Sequence, residues 1–308
     1  MPVKKVLLLV DGSFISFVVN FRAFKVWSEQ YQGMDTCIIR PPDETDQDNL
    51  PDIVNESKWF KKCLYNAAVD KLNGIANIIE NSTGLLYPNS TLVDTIIAKD
   101  SRLSKSFRYA LYPEYKLTRK IQKAKRNQYQ IGPVFDELYA NIFPSIFGEH
   151  TIQLSVDGAE GDDIIASIAR SQKIGDEYER IILISSDRDF LQLQIDRPVT
   201  QYDAKGEMVV PKIKRGDEII NITPQQALMV KIISGDSSDN IKPIKPKIGE
   251  IRALKYITEK TDEFKKMLKE EPEVAQKMAL NSKLIDFRNI PPELSQKVVD
   301  EYYHTKTW

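Results

Sequence analysis

Two aspartates, Asp187 and Asp189, come almost at once after the apolar run IILI at 181–184. Such a run reads as a buried strand, and a buried strand has no packing use for carboxylates at its end. The arrangement recurs. Asp11 follows VLLLV at 6–10, and Asp100 closes TLVDTIIAKD at 91–100. Glu160, Asp162 and Asp163 stand where a strand-like stretch gives way to a helix-like one, and Asp236 and Asp239 lie in the polar turn GDSSDN. In an open α/β sheet, ligands bind in the crevice at the carboxyl ends of the strands. Nine carboxylates converging there would repel one another strongly, and only bound cations would make the cluster tolerable. Oxygen-only ligands suit Mg²⁺, with Mn²⁺ as a substitute. Two ions roughly 4 Å apart are a common device for in-line phosphodiester cleavage.

The elements that must position these residues alternate. Strands are expected at 5–10, 91–100, 151–156 and 181–185. Between them, amphipathic helices are expected at 57–81, with Trp59, Cys63, Ala67, Ile75 and Ile78 facing inward, and at 133–147 and 161–171. Residues 14–30 read as helical or irregular. The acidic, proline-punctuated stretch 40–57 reads as a loop or insertion. Strand–helix alternation predicts an α/β fold with a mainly parallel sheet. From about Pro224 the pattern turns helical, at 224–234, 249–258, 262–281 and 292–303, with a turn-rich hinge at 235–250. The composition shift near 215–223 divides an expected core, 1–220, from a helical unit, 221–308.

The chain has 308 residues, 42% hydrophobic and 28% charged, which is an ordinary soluble composition. His150 and His304 are its only histidines, too few for zinc sites and a poor basis for a catalytic triad. Cys37 and Cys63 match neither a zinc spacing nor a disulfide framework, so a reducing, cytoplasmic setting is expected. No run approaches a membrane span. The net charge of −1 points to no partner, but its distribution does. Residues 99–126 hold ten basic residues and two acidic ones. Arg102, Lys105, Arg108, Lys116, Arg119, Lys120 and Lys123 alternate there with Phe107, Tyr109, Tyr112 and Tyr115. Cations contact phosphates and aromatics stack on unpaired bases, so this stretch is expected to be exposed and to bind nucleic acid. The turn KPIKPKIGE at 242–250 could offer backbone N–H groups to a duplex phosphate.

Taken in order, these motifs resemble the 5′ nuclease, or flap endonuclease, family. The likeness runs most strongly to its phage members, which include primer-removing ribonucleases H. Asp11 matches the family's early strand-end Asp. Asp100 followed by FRYALYPEYKLTR matches its second. Glu160-Gly161-Asp162-Asp163 matches E-A-D-D with glycine for alanine, the Ser185/Ser186, Asp187 and Asp189 group matches S-x-D-x-D, and GDSSDNI at 235–241 matches G-D-x-x-D-N-I.

The resemblance implies a PIN-like core with a helical arch at 101–130 and a duplex-binding helix-hairpin element at 224–260. It assigns Asp11, Asp100, Asp162 and Asp187 mainly to one metal, and Asp189, Asp236 and Asp239 to a second. Glu160 and Asp163 would be shared or supporting. Lys116 and Arg119 would engage the scissile phosphate, and Tyr115 would stack on a base. The hairpin departs from the family's glycine-rich run. Only Gly249 remains of that pattern, which argues against a K⁺ site and assigns Lys245 and Lys247 to phosphate contact.

The implied activity is divalent-metal-dependent 5′→3′ exonuclease and flap endonuclease cleavage of RNA·DNA and duplex or flapped DNA, as in primer removal during phage replication. Implied partners are DNA and RNA·DNA hybrids with 5′ ends, a single-strand-binding protein and a sliding clamp. A monomer in the cytoplasm of a bacterial host is expected. Three rival readings remain: a PIN-like ribonuclease, which would lack the helix-hairpin element; a non-catalytic nucleic-acid binder, which would have lost a ligand; and a small-molecule phosphohydrolase, which would not need the basic stretch.

Overall fold

The computed structural model describes residues 4–35, 37, 39, 50–83, 91–102, 105–119 and 128–306. Strands β1 (Lys4–Asp11), β2 (Thr91–Ala98), β3 (Thr151–Leu154), β4 (Arg180–Ile184) and β5 (Val199–Tyr202) form one sheet in the order β3-β2-β1-β4-β5. Every pair is parallel, and Asp11 lies level with Ala98 on β2. The order reverses at the central strand: the chain works outward from β1 to β3, then crosses back to β4 on the other side.

β1 is apolar on both faces because both are covered, as a central parallel strand requires. Val6, Leu8 and Val10 point into one cluster, with Ile15, Val19 and Trp27 of helix α1 (Gly12–Gln30) and Phe60, Leu64 and Ile75 of helix α2 (Lys58–Thr83). Leu7 and Leu9 point into the opposite cluster. There they meet Ile164, Ile165 and Ile168 of helix α3 (Gly161–Arg170) and Leu294, Val298 and Tyr302 of helix α4 (Pro292–Thr305). Of the inward positions expected on 57–81, Cys63, Ala67 and Ile75 are buried. Trp59 is half-buried and stacks on Tyr31, while the Ile78 side chain lies outside those described.

Four further helices lie between Pro224 and Ile285. They are α5 (Pro224–Ser234), α6 (Glu250–Thr258), α7 (Thr261–Glu270) and α8 (Pro272–Ile285). The single helix expected at 262–281 is two, broken before Pro272, which begins α8 where its missing N–H costs nothing. The stretch near 215–223 is an antiparallel hairpin, β6 (Lys212–Arg215) with β7 (Glu218–Asn221), turning at Gly216 with φ 61°. Ile213 of β6 is buried with Val230, Ile233, Ile248 and Ala253 of the helical cluster. The expected 221–308 unit shares buried clusters with residues outside it. It borrows Ile213 from before its start, and returns Phe287, Ile290 and α4 to the sheet.

The basic stretch is not exposed throughout. Ser106 caps a short helix, Phe107–Leu111, and Ser106, Arg108, Tyr115 and Tyr129 are buried. Lys120 and Lys123 lie outside the described residues. Among the described residues, no helix is long and apolar enough to cross a membrane.

Candidate active site

The carboxyl ends of β1, β2 and β4 and the start of α3 bring the first acidic group together. Helix α1 begins directly after β1. Asp11 caps it, accepting the Phe14 N–H at 3.0 Å. Only glycine fits at position 12, because a Cβ there would run into the Ala98 carbonyl and the Tyr139 hydroxyl. The other Asp11 oxygen accepts from Ser185 Oγ at 2.8 Å, and the same Oγ accepts the Asp187 N–H at 3.1 Å. Ser185, fully buried, thus ties β1 to the β4 motif, while Ser186 is exposed.

Asp100 accepts from Ser13 Oγ at 2.5 Å and from the Gly161 N–H at 2.7 Å. A Cβ at Gly161 would sit 3.2 Å from that Asp100 oxygen, so glycine in place of alanine leaves the contact room. Burial pushes the Asp11 carboxyl up to about 6, and the charges of Asp100 and Asp187 add to the rise. Burial, with Asp187, Asp11 and Asp100, raises Asp162 well above the carboxylate range despite Lys116. Four carboxyl groups are held within one another's field.

The second group is laced to the basic stretch. Lys116 has a left-handed backbone, φ 55°, and its N–H donates to the Asp239 carbonyl at 3.0 Å. Its ammonium pairs with Glu160, which also accepts from Ser106 Oγ at 2.7 Å. Burial raises the Glu160 carboxyl, but Lys116 and Arg108 overcome this and hold it below its ordinary value. Arg119 pairs with Asp239 at 2.5 Å and donates to the Ser238 carbonyl at 3.1 Å. Asn240, also left-handed at φ 61°, donates to the Glu114 carbonyl at 2.9 Å, and Tyr112 donates to the Asn240 carbonyl at 3.2 Å. Gly235 is required where it stands: φ is 73°, and a Cβ would meet the backbone of Ile241 and Lys242.

Lys231, on the last turn of α5, pairs with Asp189 and lies 2.8 Å from Asp236. Against the cost of burial, that charge and the Ser238 hydrogen bonds pull Asp236 down to about 2. Burial keeps Asp189 above its ordinary value even beside Lys231. Lys231 is absent from the sequence expectations, since a single lysine in ALMVKIIS carries no motif.

Several expected roles change. Arg108, expected on the exposed basic stretch, is buried. Its guanidinium is 4% exposed, 2.7 Å from Asp163, and donates to the Leu284 carbonyl at 2.8 Å. Asp163, 0% exposed, is engaged by that pair and by the Glu160 N–H at 3.0 Å. Tyr115, 3% exposed, packs on Leu228, Ile232 and Leu284, so it has no free face for a base.

Arg102 and Lys105 are exposed, Lys105 pairing with Asp157 at 2.7 Å. Lys245 is exposed but pairs with Glu271 at 2.6 Å, and Gly249 begins α6. Lys247 takes φ 66°, so the turn keeps a glycine-type conformation without the glycine. A cavity of about 450 Å³, lined by Arg188, Lys231, Asp236, Ser238 and Gly249 among others, joins this turn to the second acidic group.

Among the described residues, no three acidic, histidine or cysteine side chains form a ready metal cluster. Lys116, Arg119 and Lys231 stand between the carboxylates of the second group. The donor chemistry nevertheless fits hard divalent cations: every candidate ligand is a carboxylate oxygen. Asp239 Oδ1, though paired with Arg119, is buried without a hydrogen bond.

A doubly wound parallel sheet with acidic strand ends, a basic joint and a helix–turn–helix beside it defines a 5′ nuclease-type protein. A family model described as "5'-3' exonuclease, N-terminal resolvase-like domain" matches residues 60–229, and the chain belongs to that family. It is 31% identical over 198 residues to a 5'-3' exonuclease of Buchnera aphidicola subsp. Schizaphis graminum (strain Sg), covering 64% of this chain and 63% of that protein. It is 31% identical over 189 residues to DNA polymerase I of Bacillus subtilis (strain 168), covering 60% of this chain and 20% of that protein. The chain thus spans less than two thirds of the length of either of these two relatives. Among solved structures, it resembles a bacteriophage T5 flap endonuclease variant in a pseudo-enzyme–product complex with DNA and metal ions. The TM-score is 0.54 at 17% identity, over 98% of this chain and 100% of that one. It also resembles the T5 5'-exonuclease with bound zinc, with TM-score 0.54, 17% identity, and coverage of 98% and 99%. At that identity the likeness is one of fold.

Proposed function

We propose that this protein is a divalent-metal-dependent 5′→3′ exonuclease and flap endonuclease. The observation that carries the reading is the gathering of Asp11, Asp100, Asp162 and Asp187 at the carboxyl edge of one parallel sheet, where burial and mutual repulsion raise Asp11 and Asp162. Those four would hold one cation and Asp189, Asp236 and Asp239 a second, with Glu160 between them. Bound Mg²⁺ ions would activate water and offset charge on the phosphate.

The chain's own residues do the rest. Lys116 and Arg119 stand at the joint between the basic stretch and the loop 235–241, placed to neutralise a phosphate that enters there. Ser185, Gly12 and Gly161 hold the carboxylates in place. The helix–turn–helix of α5 and α6, with Lys247 and Gly249, takes the duplex. A helix–turn–helix beside the acidic edge favours this reading over a PIN-like ribonuclease.

The substrates that fit are flapped or nicked DNA and RNA·DNA hybrids, as in primer removal during phage replication. A monomer in the host cytoplasm, working with a single-strand-binding protein and a sliding clamp, follows from the family resemblance. The test is cleavage of a 5′-flap DNA and of a nicked RNA·DNA duplex, with Mg²⁺ and with EDTA. Cleavage is expected only with Mg²⁺, and Asp187→Asn is expected to abolish it while duplex binding persists. Full activity in EDTA or in Asp187→Asn would sink the assignment.

A further inference from the structure

Lys231 lies outside every motif used so far, yet its side chain is only 27% exposed and its ammonium holds two carboxylates at once. Asp189 comes from the turn after β4 and Asp236 from the loop after α5, so one cation joins two separate segments of the chain. Those are the residues to which the metal-dependent reading, on which this inference rests, gives the second ion. An ammonium and a divalent cation cannot share the same two carboxylates without strong repulsion.

We propose that Lys231 is a built-in counter-ion for Asp189 and Asp236 of the second acidic group, and that it gives them up when that group takes its cation. The residue type suits the exchange. Lysine is a point charge on a flexible four-carbon stem, able to swing away, whereas arginine's planar fork commits to a fixed geometry. The contrast lies in the same site: Arg108 is fixed by Asp163 and by the Leu284 carbonyl, while among the described residues the Lys231 ammonium pairs with side-chain oxygens that a cation could also use. Lys231 therefore stabilises the fold while lowering affinity for the second ion. A purely structural ion pair would do only the first.

The test is calorimetric titration of Mn²⁺ into the full chain, paired with thermal melting in EDTA and in Mn²⁺, for wild type, Lys231→Gln and Lys231→Arg. Wild type is expected to take up two ions of unequal affinity. Lys231→Gln is expected to bind the weaker ion at least about tenfold more tightly, as removal of a competing charge from a partly buried pair implies. It should also melt lower than wild type in EDTA and recover in Mn²⁺. An unchanged or weaker second affinity in Lys231→Gln overturns the exchange. If that variant does not fold, Lys231→Arg decides: its fork is harder to displace, so the second ion should weaken several-fold, and equal or tighter binding overturns the proposal. Wild type that takes up no divalent ion at all would bring down the metal-dependent reading itself. Uptake of two ions without the Lys231 effect would bring down only the exchange.

Discussion

Replacing Arg108 with Met separates a folding role from a substrate role. The guanidinium and the Asp163 carboxylate are 2.7 Å apart, with side chains 4% and 0% exposed. Removing one partner of a buried pair costs about 3–5 kcal/mol, because the other charge is left uncompensated. The Leu284 carbonyl also loses its donor, which adds about 1 kcal/mol. Asp163 has one escape. Burial already holds its pKa above the ordinary value beside Arg108, and without Arg108 it rises further, so protonation relieves the strain. The loss is therefore largest near neutral pH, at roughly 4 kcal/mol, and shrinks as pH falls. Urea denaturation followed by circular dichroism, in EDTA and at two pH values, measures it. The double variant Arg108→Met/Asp163→Leu should recover most of the loss, since an apolar pair of similar volume needs no counter-charge. Duplex affinity of the folded single variant should stay near wild type. A loss under about 1 kcal/mol together with weakened duplex binding would refute the reasoning, and would return Arg108 to the substrate face.

Asp11→Asn should stabilise the protein in EDTA near neutral pH, by up to about 3 kcal/mol for a carboxyl raised from 3.8 to about 6. The raised folded pKa means that the wild type loses this stability as pH rises through that window, so the two stability curves should converge below it; parallel curves would disprove the shift. Lys116→Ala should lower the cleavage rate by about 10²-fold or more while changing duplex affinity little, and equal losses in rate and binding assays would leave only a diffuse electrostatic role. Gly12→Ala should destabilise by more than about 2 kcal/mol and lose activity, because backbone must move to admit the methyl group; a variant with wild-type melting would show that β2 yields there.

The parallel sheet and its acidic edge were legible because their signals are local. An apolar run followed by Asp survives any packing, and Asp11, Asp100 and Asp187 stand where such runs end, while Asp162 opens the helix after β3. The paired helices about 235–250 were legible for the same reason. What escaped depends on distant partners. Arg108 and Tyr115 read as exposed because their neighbours are basic, but Arg108's partner lies 55 residues away, and Tyr115's apolar neighbours come from α5 and α8. Lys231 looks like any helical lysine until Asp189 and Asp236 flank it. The β6–β7 hairpin is too short and too charged to show a strand period, and its one buried anchor, Ile213, is invisible without the helices it meets.

The joint between residues 112–119 and 235–241 has a consequence for inheritance and engineering. Its bonds run largely through main-chain atoms: the Lys116 N–H to the Asp239 carbonyl, Asn240 to the Glu114 carbonyl, Arg119 to the Ser238 carbonyl and Tyr112 to the Asn240 carbonyl. Two segments more than a hundred residues apart therefore behave as one cassette. A graft that moves the basic stretch from a relative into this chain carries half a lock, and Asp239 would shift with the mismatch. Loops between the two segments can lengthen or shorten at little cost, but the two halves of the cassette have to be exchanged together.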